Sequence, residues 1–327
     1  VQAAKKEKVP AAPSFKLGKE VRAAIAPAQA AIKAADFAGA NVSILVTTYN
    51  PCLVDLVGNI KSYLHQAKHI VLVDNSDDVA RQHEVSALAV VYPNVVIKSL
   101  SRNLGIAAAQ NIGLQEAKAL GSEFVIEMDQ DSKLPPDYVS KLMRRFSEIT
   151  EKGIKVGGVG PLAVRKGSDE VYDGFTRSGG AIEVEYTLSS GFLMRFDAID
   201  VVGPKNEDLF IDFVDWEWCW RSRERGYRIF IDTTLEISHM LGDGHKKILG
   251  QSIGMPSPIR HYYQFRNFIY LLGKSFVPVK WKLKYSAIML AKLCLIPLVF
   301  DRKMKRLSYA TTGIKDAIRG AWGKIGE

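Results

Sequence analysis

The sequence predicts an α/β fold with a mainly parallel central sheet flanked by helices, and three observations lead to this prediction. Through the first half of the chain, β-branched and apolar runs alternate with segments of helical periodicity. A polar cluster follows each run where a strand should stop. The 327 residues are 47% hydrophobic, which is enough for a large core in one or two domains.

Four strands are predicted, each followed by polar residues. They are 42–49 before Asn50, 69–73 before Asp74, 95–99 before Arg102 and Asn103, and 124–128 before Asp129. Helices are predicted between them, over 56–66 and from about 106 to 120. Ligands on parallel sheets bind beyond the carboxyl ends of the strands, so we expect these polar clusters to meet at one edge.

The fourth strand ends in Asp129-Gln130-Asp131. Alternate residues of a strand share a face, so Asp129 and Asp131 are expected to project together, with Gln130 on the other side. Two carboxylates suit Mg²⁺ or Mn²⁺ and leave coordination positions that phosphate oxygens can fill. The alternative is a solvated turn, because Pro135-Pro136 follows closely.

A second acidic candidate is Asp215, at the start of a predicted helix that Gly226 ends. A carboxylate in this position often only caps the helix. Three tryptophans follow at 216, 218 and 220, and aromatic faces commonly form sugar-binding walls. His239, after a strand predicted at 228–232, is either a structural histidine or a further metal ligand.

Charge and cysteine content narrow the function classes. The net charge of +9 suits nucleic acid, nucleotide phosphates or an acidic membrane surface. The three cysteines have no metal-ligand spacing and indicate a reducing compartment. Gly273-Lys274-Ser275 lacks the first glycine of a P-loop, and 157–160 does not match the dinucleotide fingerprint. The first residues do not form a secretory signal, and the absence of an initiating Met suggests a fragment or a processed chain.

The carboxy-terminal region is helical, basic and aromatic. Its apolar segment 285–300 is short for a membrane span and is interrupted by Lys292 and Pro297. Basic residues lie on both sides, which is typical of a helix lying in an anionic membrane interface. A buried helix, in the domain core or in an oligomer, is the alternative. Nucleic acid is not favoured, because the basic residues accompany no recognised binding module.

With these motifs assembled, the chain resembles glycosyltransferase family 2, the inverting enzymes with a GT-A fold, and within it the bacterial rhamnosyltransferases. The resemblance covers about 42–272. The motifs that carry it are Val46-Thr47-Thr48-Tyr49-Asn50, Val73-Asp74-Asn75-Ser76, Arg102-Asn103-Leu104-Gly105-Ile106-Ala107 with Asn111 and Gly113, Asp129-Gln130-Asp131, Phe213-Val214-Asp215-Trp216-Glu217 with Arg221 and Gly226-Tyr227, and Arg266-Asn267.

The resemblance implies a role for each motif. It implies that Asp215 is the general base, and that Asp129, Asp131 and His239 hold Mg²⁺ or Mn²⁺. Family members commonly have Glu-Asp where this chain has Val214-Asp215. The implied nucleotide-sugar site comprises Thr47, Tyr49, Asn50, Asp74 at the pyrimidine, Arg102, Asn103, Gly105, Asp129 and Gln130. The implied acceptor or sugar pocket comprises Ser190, Gly191, Trp216 and Glu217.

The resemblance favours dTDP-β-L-rhamnose as donor and a glycan acceptor, which can be lipid-linked, in bacterial surface-polysaccharide synthesis. A UDP-sugar donor stays open. The rivals are a sugar-1-phosphate nucleotidyltransferase, which should carry a Gly-rich basic loop near the first strand, and a non-catalytic glycan-binding member of the fold. We expect a helical or linker segment over 1–40, a catalytic domain over 41–255 and a helical extension over 256–327. We expect the protein in the cytoplasm, peripheral to the inner face of the plasma membrane, with the oligomeric state open.

Overall fold

A computed structural model describes residues 41–165, 170–171, 175–239, 245–248 and 251–326. The helices expected within 1–40 therefore lie outside the described residues. An eight-stranded mixed sheet forms the centre, in the order β3-β2-β1-β4-β7-β5-β8-β6. A two-stranded antiparallel sheet of β9 and β10 lies apart from it. The predicted α/β class with a largely parallel sheet is confirmed.

The first four strands pair in parallel, with β1 between β2 and β4 and with β3 at the edge. β7 runs antiparallel to β4 and β5, and β6 runs antiparallel to β8. The strands are β1 (Val42–Thr48), β2 (His69–Asp74), β3 (Val95–Ser99), β4 (Phe124–Asp129), β5 (Val156–Arg165), β6 (Ala181–Val184), β7 (Phe192–Arg195), β8 (Arg228–His239), β9 (His245–Ile248) and β10 (Gln251–Gly254).

Helices cover both faces of the large sheet, which explains why its central strands are apolar on both sides. The described helices are α1 (Leu53–Ile60), α2 (Val79–Ser86), α3 (Leu88–Val91), α4 (Ile106–Ala119), α5 (Tyr138–Thr150), α6 (Phe196–Val202), α7 (Val214–Glu224), α8 (Arg260–Leu272), α9 (Val279–Val299) and α10 (Lys303–Arg319). The strand predicted at 228–232 continues to His239, because β8 pairs along the whole of β5.

The three carboxy-terminal helices pack on α7 through an aromatic cluster. Trp220 of α7 lies 4.8 Å from Trp281 of α9, measured between ring centroids, and Trp281 stacks on Tyr285 at 4.4 Å. Phe265 and Phe268 of α8 complete this core. These helices therefore form one wall over the carboxyl edge of the sheet. Within the described part of the chain, no helix has the length and apolar character needed to cross a bilayer.

Candidate active site

A pocket of about 540 Å³ lies between the carboxyl edge of the sheet and helices α8 and α9. Acidic side chains from two separate motifs face it, and cationic side chains come from the helical wall. The polar side chains around it belong to Gln110, Asp129, Gln130, Asp131, Ser189, Asp212, Asp215, Arg260, Gln264 and Lys292. The structure thus brings together the strand-end motif and the helix-start motif that the sequence singled out separately.

Asp129 is the last residue of β4, and Asp131 follows in the next turn. Gln130 between them fixes the turn rather than facing only solvent. Its side-chain oxygen accepts from the Tyr49 amide at 2.8 Å, and its carbonyl accepts from Asn59 Nδ2 at 2.8 Å. The two carboxylates are thereby held at the pocket, with the end of β1 alongside them.

The donor set fits a hard divalent cation that shares its coordination with a ligand. Asp129 and Asp131 supply oxygen atoms at the pocket wall. Among the residues that the structure describes, no group of three or more His, Cys, Asp and Glu side chains forms a metal cage. His239 ends β8, but its side chain lies outside the described residues, so its predicted ligand role stays a prediction.

Asp215 is the second residue of α7 and lines the same pocket. One carboxylate oxygen accepts from the Trp216 amide at 3.0 Å and the other from the Ser189 amide at 3.3 Å. Burial nevertheless raises its pKa to about 6, while the nearby Lys205 cation acts in the opposite direction. A carboxylate with this pKa is ionised at neutral pH and retains useful basicity.

A buried ion pair lies beneath these carboxylates. Lys205 Nζ is 3.0 Å from Glu127 Oε2, and both side chains are 1% exposed. The ammonium also lies 5.0 Å from the Trp218 ring centroid. Burial raises the pKa of Glu127, and Lys205 opposes that rise. Lys205 therefore supplies a fixed positive charge under a site that concentrates acidic groups.

The loop before α7 has an unusual backbone. Phe210, Asp212 and Phe213 have φ values of 60°, 69° and 66°, in the left-handed region that costs non-glycine residues about 1 kcal/mol or more each. Asn267 of α8 compensates with three hydrogen bonds from its Nδ2 atom. They reach the carbonyls of Leu209, Ile211 and Asp212 at 2.9, 2.8 and 3.1 Å.

Arg266, the neighbour of Asn267, anchors the same loop from its start. Its guanidinium donates to the carbonyls of Asp208 at 2.7 Å and Leu209 at 3.1 Å, and it also binds the carbonyl of Gly323. The Arg266 side chain is fully buried. The Arg266-Asn267 motif therefore fixes the backbone that delivers Asp215 to the pocket.

Gly105 connects this loop to the predicted nucleotide edge. Its φ is +89°, and a Cβ added there would lie 2.5 Å from the Phe210 ring and 2.7 Å from the Phe210 carbonyl oxygen. That carbonyl accepts from the Ile106 amide at 2.7 Å. Any side chain at this position would push the Asp215 loop away.

The other predicted nucleotide residues lie along the edge formed by β1, β2 and the turn after β3. Asp74 Oδ1 accepts from Thr48 Oγ1 at 3.1 Å and Ser76 Oγ at 2.5 Å, whereas Asp74 Oδ2 is buried without a hydrogen-bond partner in the described structure. The Asn50 amide donates to Ser76 Oγ at 2.7 Å. This edge is preorganised, and one carboxylate oxygen of Asp74 still lacks a donor.

A second network continues along this edge. Tyr49 Oη donates to Asp77 at 3.0 Å, the Asn103 amide donates to the same carboxylate at 2.8 Å, and Asn75 Nδ2 donates to Asn103 Oδ1 at 3.0 Å. Thr47 pairs in register with Asp129 of β4, and Arg102 is exposed beside Asn103. These residues adjoin the pocket but are not part of its lining, so their nucleotide roles stay predictions.

The predicted acceptor residues divide between the pocket and the core. Trp216 lines the pocket, whereas Trp218 and Trp220 are buried, so two of the three tryptophans serve the core. Glu217 is 2% exposed and binds Arg221 at 2.8 and 2.9 Å, away from the pocket lining. That pair supports the chain before α7, because Arg221 also donates to the carbonyls of Val202 and Pro204.

Ser190 and Gly191 lie outside the pocket lining and fix the loop that carries Ser189. Ser190 Oγ donates to Ser132 Oγ at 2.9 Å, and the Gly191 amide donates to the Glu127 carbonyl at 2.7 Å. Neither residue is part of the pocket lining, whereas the adjacent Ser189 is. The predicted acceptor residues thus lie next to the residue of this loop that faces the cavity, and their acceptor role stays a prediction.

Sequence reasoning missed the helical wall of the pocket. Arg260 binds Asp212 through two hydrogen bonds of 2.7 and 2.5 Å, and Gln264 accepts from Lys292 at 2.5 Å. Gln110, 4% exposed on α4, also lines the pocket, and its Oε1 atom has no hydrogen-bond partner in the described structure. The only sequence signal for Lys292 was its position as the one charge within an apolar run.

Comparison with known proteins gives a family match and two relatives. Residues 43–163 match the model of the glycosyl transferase family 2. The dTDP-rhamnosyl transferase RfbF of Shigella flexneri is 29% identical over 296 residues, which cover 86% of this chain and 97% of that protein. The galactofuranosyltransferase GlfT1 of Mycolicibacterium smegmatis is 27% identical over 237 residues, covering 65% and 77%.

Solved structures agree on the fold. GalNAc-T7 with UDP, GalNAc and Mn²⁺ superposes with a TM-score of 0.52 at 15% identity, covering 89% of this chain and 69% of that chain. Residues 1–349 of S. aureus TarS with UDP-GlcNAc also give 0.52, at 17% identity, covering 85% and 81%. The sheet and its flanking helices form a GT-A fold, and the sequence matches indicate a glycosyltransferase. Over residues 43–163 the chain is similar to glycosyltransferase family 2, in agreement with the motifs of the sequence.

Proposed function

We propose that this glycosyltransferase transfers a sugar with inversion from a nucleoside diphosphate to a glycan hydroxyl, with dTDP-β-L-rhamnose as donor. The observation that carries the proposal is the convergence of Asp129, Asp131 and Asp215 on one pocket. The choice of donor is supported by the similarity to a dTDP-rhamnosyl transferase along nearly the whole of that relative.

In this proposal Asp215 is the general base. A sugar hydroxyl is a weak nucleophile, so its proton must pass to a side chain as it attacks the anomeric carbon. The Asp215 carboxylate is fixed by the Ser189 and Trp216 amides and can accept that proton. Attack from this side, opposite the leaving diphosphate, inverts the anomeric configuration.

Asp129 and Asp131 would hold Mg²⁺ or Mn²⁺ against the donor diphosphate. When bound, such an ion neutralises the negative charge that develops on the leaving group. The two carboxylates would hold the ion at the pocket wall, and Gln130 fixes the turn that carries them through its bond with the Tyr49 amide of the segment after β1. The nucleoside would lie along the Asp74–Asn103 edge, where Asp74 Oδ2 lacks a donor that a pyrimidine N3–H can supply.

The acceptor is proposed to lie at an anionic membrane surface, on the cytoplasmic side. On α9, the apolar side chains of Leu283, Leu290 and Leu298 are 69%, 66% and 75% exposed. Ala287, Ala291 and Cys294 are exposed at the spacing that places them on the same stripe. Lys280 and Lys284 flank the first residue of the stripe, and Arg302, Lys303 and Lys305 follow its last residue; all five are exposed. An apolar stripe between basic ends complements an anionic lipid interface.

We further propose that 256–327 completes the catalytic unit rather than forming an independent module, with 41–255 as the sheet-based part. Arg260, Gln264 and Lys292 belong to the pocket, and Arg266 and Asn267 hold the Asp215 loop. The boundary between 41–255 and 256–327 is therefore a change in sequence composition, and both segments contribute residues to the proposed site.

A donor screen tests the proposal. Purified protein, Mg²⁺ or Mn²⁺ and a lipid or glycan acceptor fraction would be offered dTDP-rhamnose, UDP-sugars and GDP-sugars, with nucleoside diphosphate release as the readout. We expect release above the acceptor-free rate from dTDP-rhamnose, and release about a hundredfold slower or less from Asp215→Asn protein. Selective release from a UDP-sugar would replace the donor and keep the reaction class. Formation of nucleoside triphosphate from pyrophosphate would instead identify a nucleotidyltransferase.

A further inference from the structure

Lys292 is a charge without a carboxylate partner in the wall of the pocket. It is half-buried on α9, and no ion pair to it is formed within the described part of the chain. Its ammonium donates to the neutral Gln264 Oε1 at 2.5 Å. The nearby Asp212 carboxylate is already bound by Arg260 through two hydrogen bonds. The positive charge of Lys292 is therefore oriented but not neutralised.

The position of Lys292 on its helix directs it inward. Tyr285, Met289 and Lys292 follow one another at spacings of four and three and line the pocket, whereas Leu290 and Leu298 face outward. This explains why a charge interrupts an otherwise apolar segment. The charge belongs to the pocket side of α9, and the apolar stripe keeps its continuity on the other side.

Burial in the pocket wall disfavours the protonated form of the Lys292 amine. Burial lowers the pKa of Lys292 to about 8; the Asp212 carboxylate opposes this shift, and the Arg260 and Arg306 cations add to it. A bound anion would offset both effects, because a charge-assisted hydrogen bond to phosphate favours the protonated amine. The carboxylates Asp129, Asp131 and Asp215 line the same pocket.

We propose that Lys292, oriented by Gln264, is the phosphate-binding group of the helical wall. The proposal rests on the proposed glycosyl transfer and specifies it: the ligand places a phosphate against α9. This phosphate comes either from the donor diphosphate or from a phosphate that links the acceptor to its carrier. In both cases the Lys292 ammonium binds a phosphate group. The two sources differ in which probe the Lys292→Met variant should bind more weakly.

Calorimetric titration of the full chain distinguishes the two sources. The first probe is dTDP with Mn²⁺, and the second is geranyl phosphate added to protein saturated with dTDP and Mn²⁺. Lys292→Met should weaken one probe about tenfold, whereas Lys292→Arg should stay within about threefold of wild type. Loss of dTDP affinity assigns Lys292 to the donor, and loss of geranyl phosphate affinity assigns it to the acceptor. Lys315→Met, an exposed lysine on α10, is the matched control.

The inference fails if wild type binds dTDP and Lys292→Met matches it within twofold for both probes. A thermal melt shows whether Lys292→Met is folded. If it is not, Gln264→Leu replaces it, because this substitution removes the acceptor of the Lys292 ammonium but keeps the charge. Gln264→Leu must then weaken binding of dTDP or of geranyl phosphate by about threefold, or the inference is refuted. If wild type binds neither dTDP nor UDP, the proposed function fails first, and the phosphate site fails with it.

Discussion

Removal of the Asn267 side chain should separate stability from catalysis in a measurable way. Asn267→Ala removes three hydrogen bonds to the carbonyls of the loop that precedes Asp215. The Nδ2 group has two hydrogens to share among these carbonyls, and Asn267 Oδ1 also accepts from the buried Arg266 guanidinium. At about 1 kcal/mol for each N–H donor and for the lost acceptor, the free energy of unfolding should fall by about 3 kcal/mol. The three left-handed residues of the loop store strain of similar size, about 1 kcal/mol or more each.

Because these two terms are comparable, we expect the loop to relax in the variant rather than to keep its shape. Asp215 would then move relative to the pocket, and a displacement of about 1 Å can reduce turnover about a hundredfold. Nucleotide binding should change little, because the edge around Asp74 does not depend on Asn267. Urea unfolding, dTDP calorimetry and turnover at saturating donor measure the three quantities.

Asn94→Ala is the matched control, because Asn94 Nδ2 makes one hydrogen bond, to the Leu64 carbonyl at 2.8 Å, remote from the pocket. It should cost about 1 kcal/mol of stability and leave turnover unchanged. If Asn267→Ala retains wild-type turnover, the loop does not need its anchor and the reasoning is refuted. A loss of turnover with equal loss of nucleotide affinity would also refute it, since that result indicates general unfolding.

Three other changes test the site and one tests the surface. Asp215→Asn keeps the shape but cannot accept a proton, so turnover should fall about a hundredfold or more while dTDP still binds; near-normal turnover would leave Asp215 a helix cap. Since burial raises the pKa of Asp215 to about 6 and the base works ionised, kcat/KM should rise with pH through about 6 and then level; a profile flat from pH 5 to 8 would contradict this role. EDTA should stop the reaction until Mg²⁺ or Mn²⁺ returns, and Asp129→Ala or Asp131→Ala should weaken metal-dependent donor binding; full activity in excess chelator would exclude a metal there. In a flotation assay the protein should float with anionic liposomes, and high salt should release part of it. The double variant Leu290→Glu, Leu298→Glu should be released almost completely, whereas Val90→Glu, which changes a side chain 89% exposed on α3, should behave as wild type. Failure of the wild-type protein to float at low salt would refute the membrane surface.

The sheet was predictable because its signals are local. β1, β2 and β4 are short apolar runs, and each is followed directly by polar residues, so both the strand and its functional end can be read from adjacent positions. The start of α7 at Asp215 was found in the same way. Such features need no knowledge of which distant residues will meet.

The helical wall and the buried charges could not be found by this reasoning. Glu127 in an apolar strand signals a buried partner, but nothing local selects Lys205, which is 78 residues away. Asn267 likewise acts on carbonyls 55 to 58 residues before it. Of the three tryptophans of α7, only Trp216, the one assigned to the acceptor pocket, lines the cavity, because a helical period sends neighbouring aromatic residues to different faces.

The anchoring of the Asp215 loop by later residues has a consequence for how the enzyme matures. Arg266 ties that loop to the Gly323 carbonyl, 57 residues further along the chain. During synthesis the strands of the large sheet precede α8, and the left-handed loop lacks its hydrogen-bond partners until α8 and the segment around Gly323 have folded onto it. We therefore expect nascent chains to gain nucleotide affinity before they gain turnover, which keeps incomplete enzyme from consuming activated sugar.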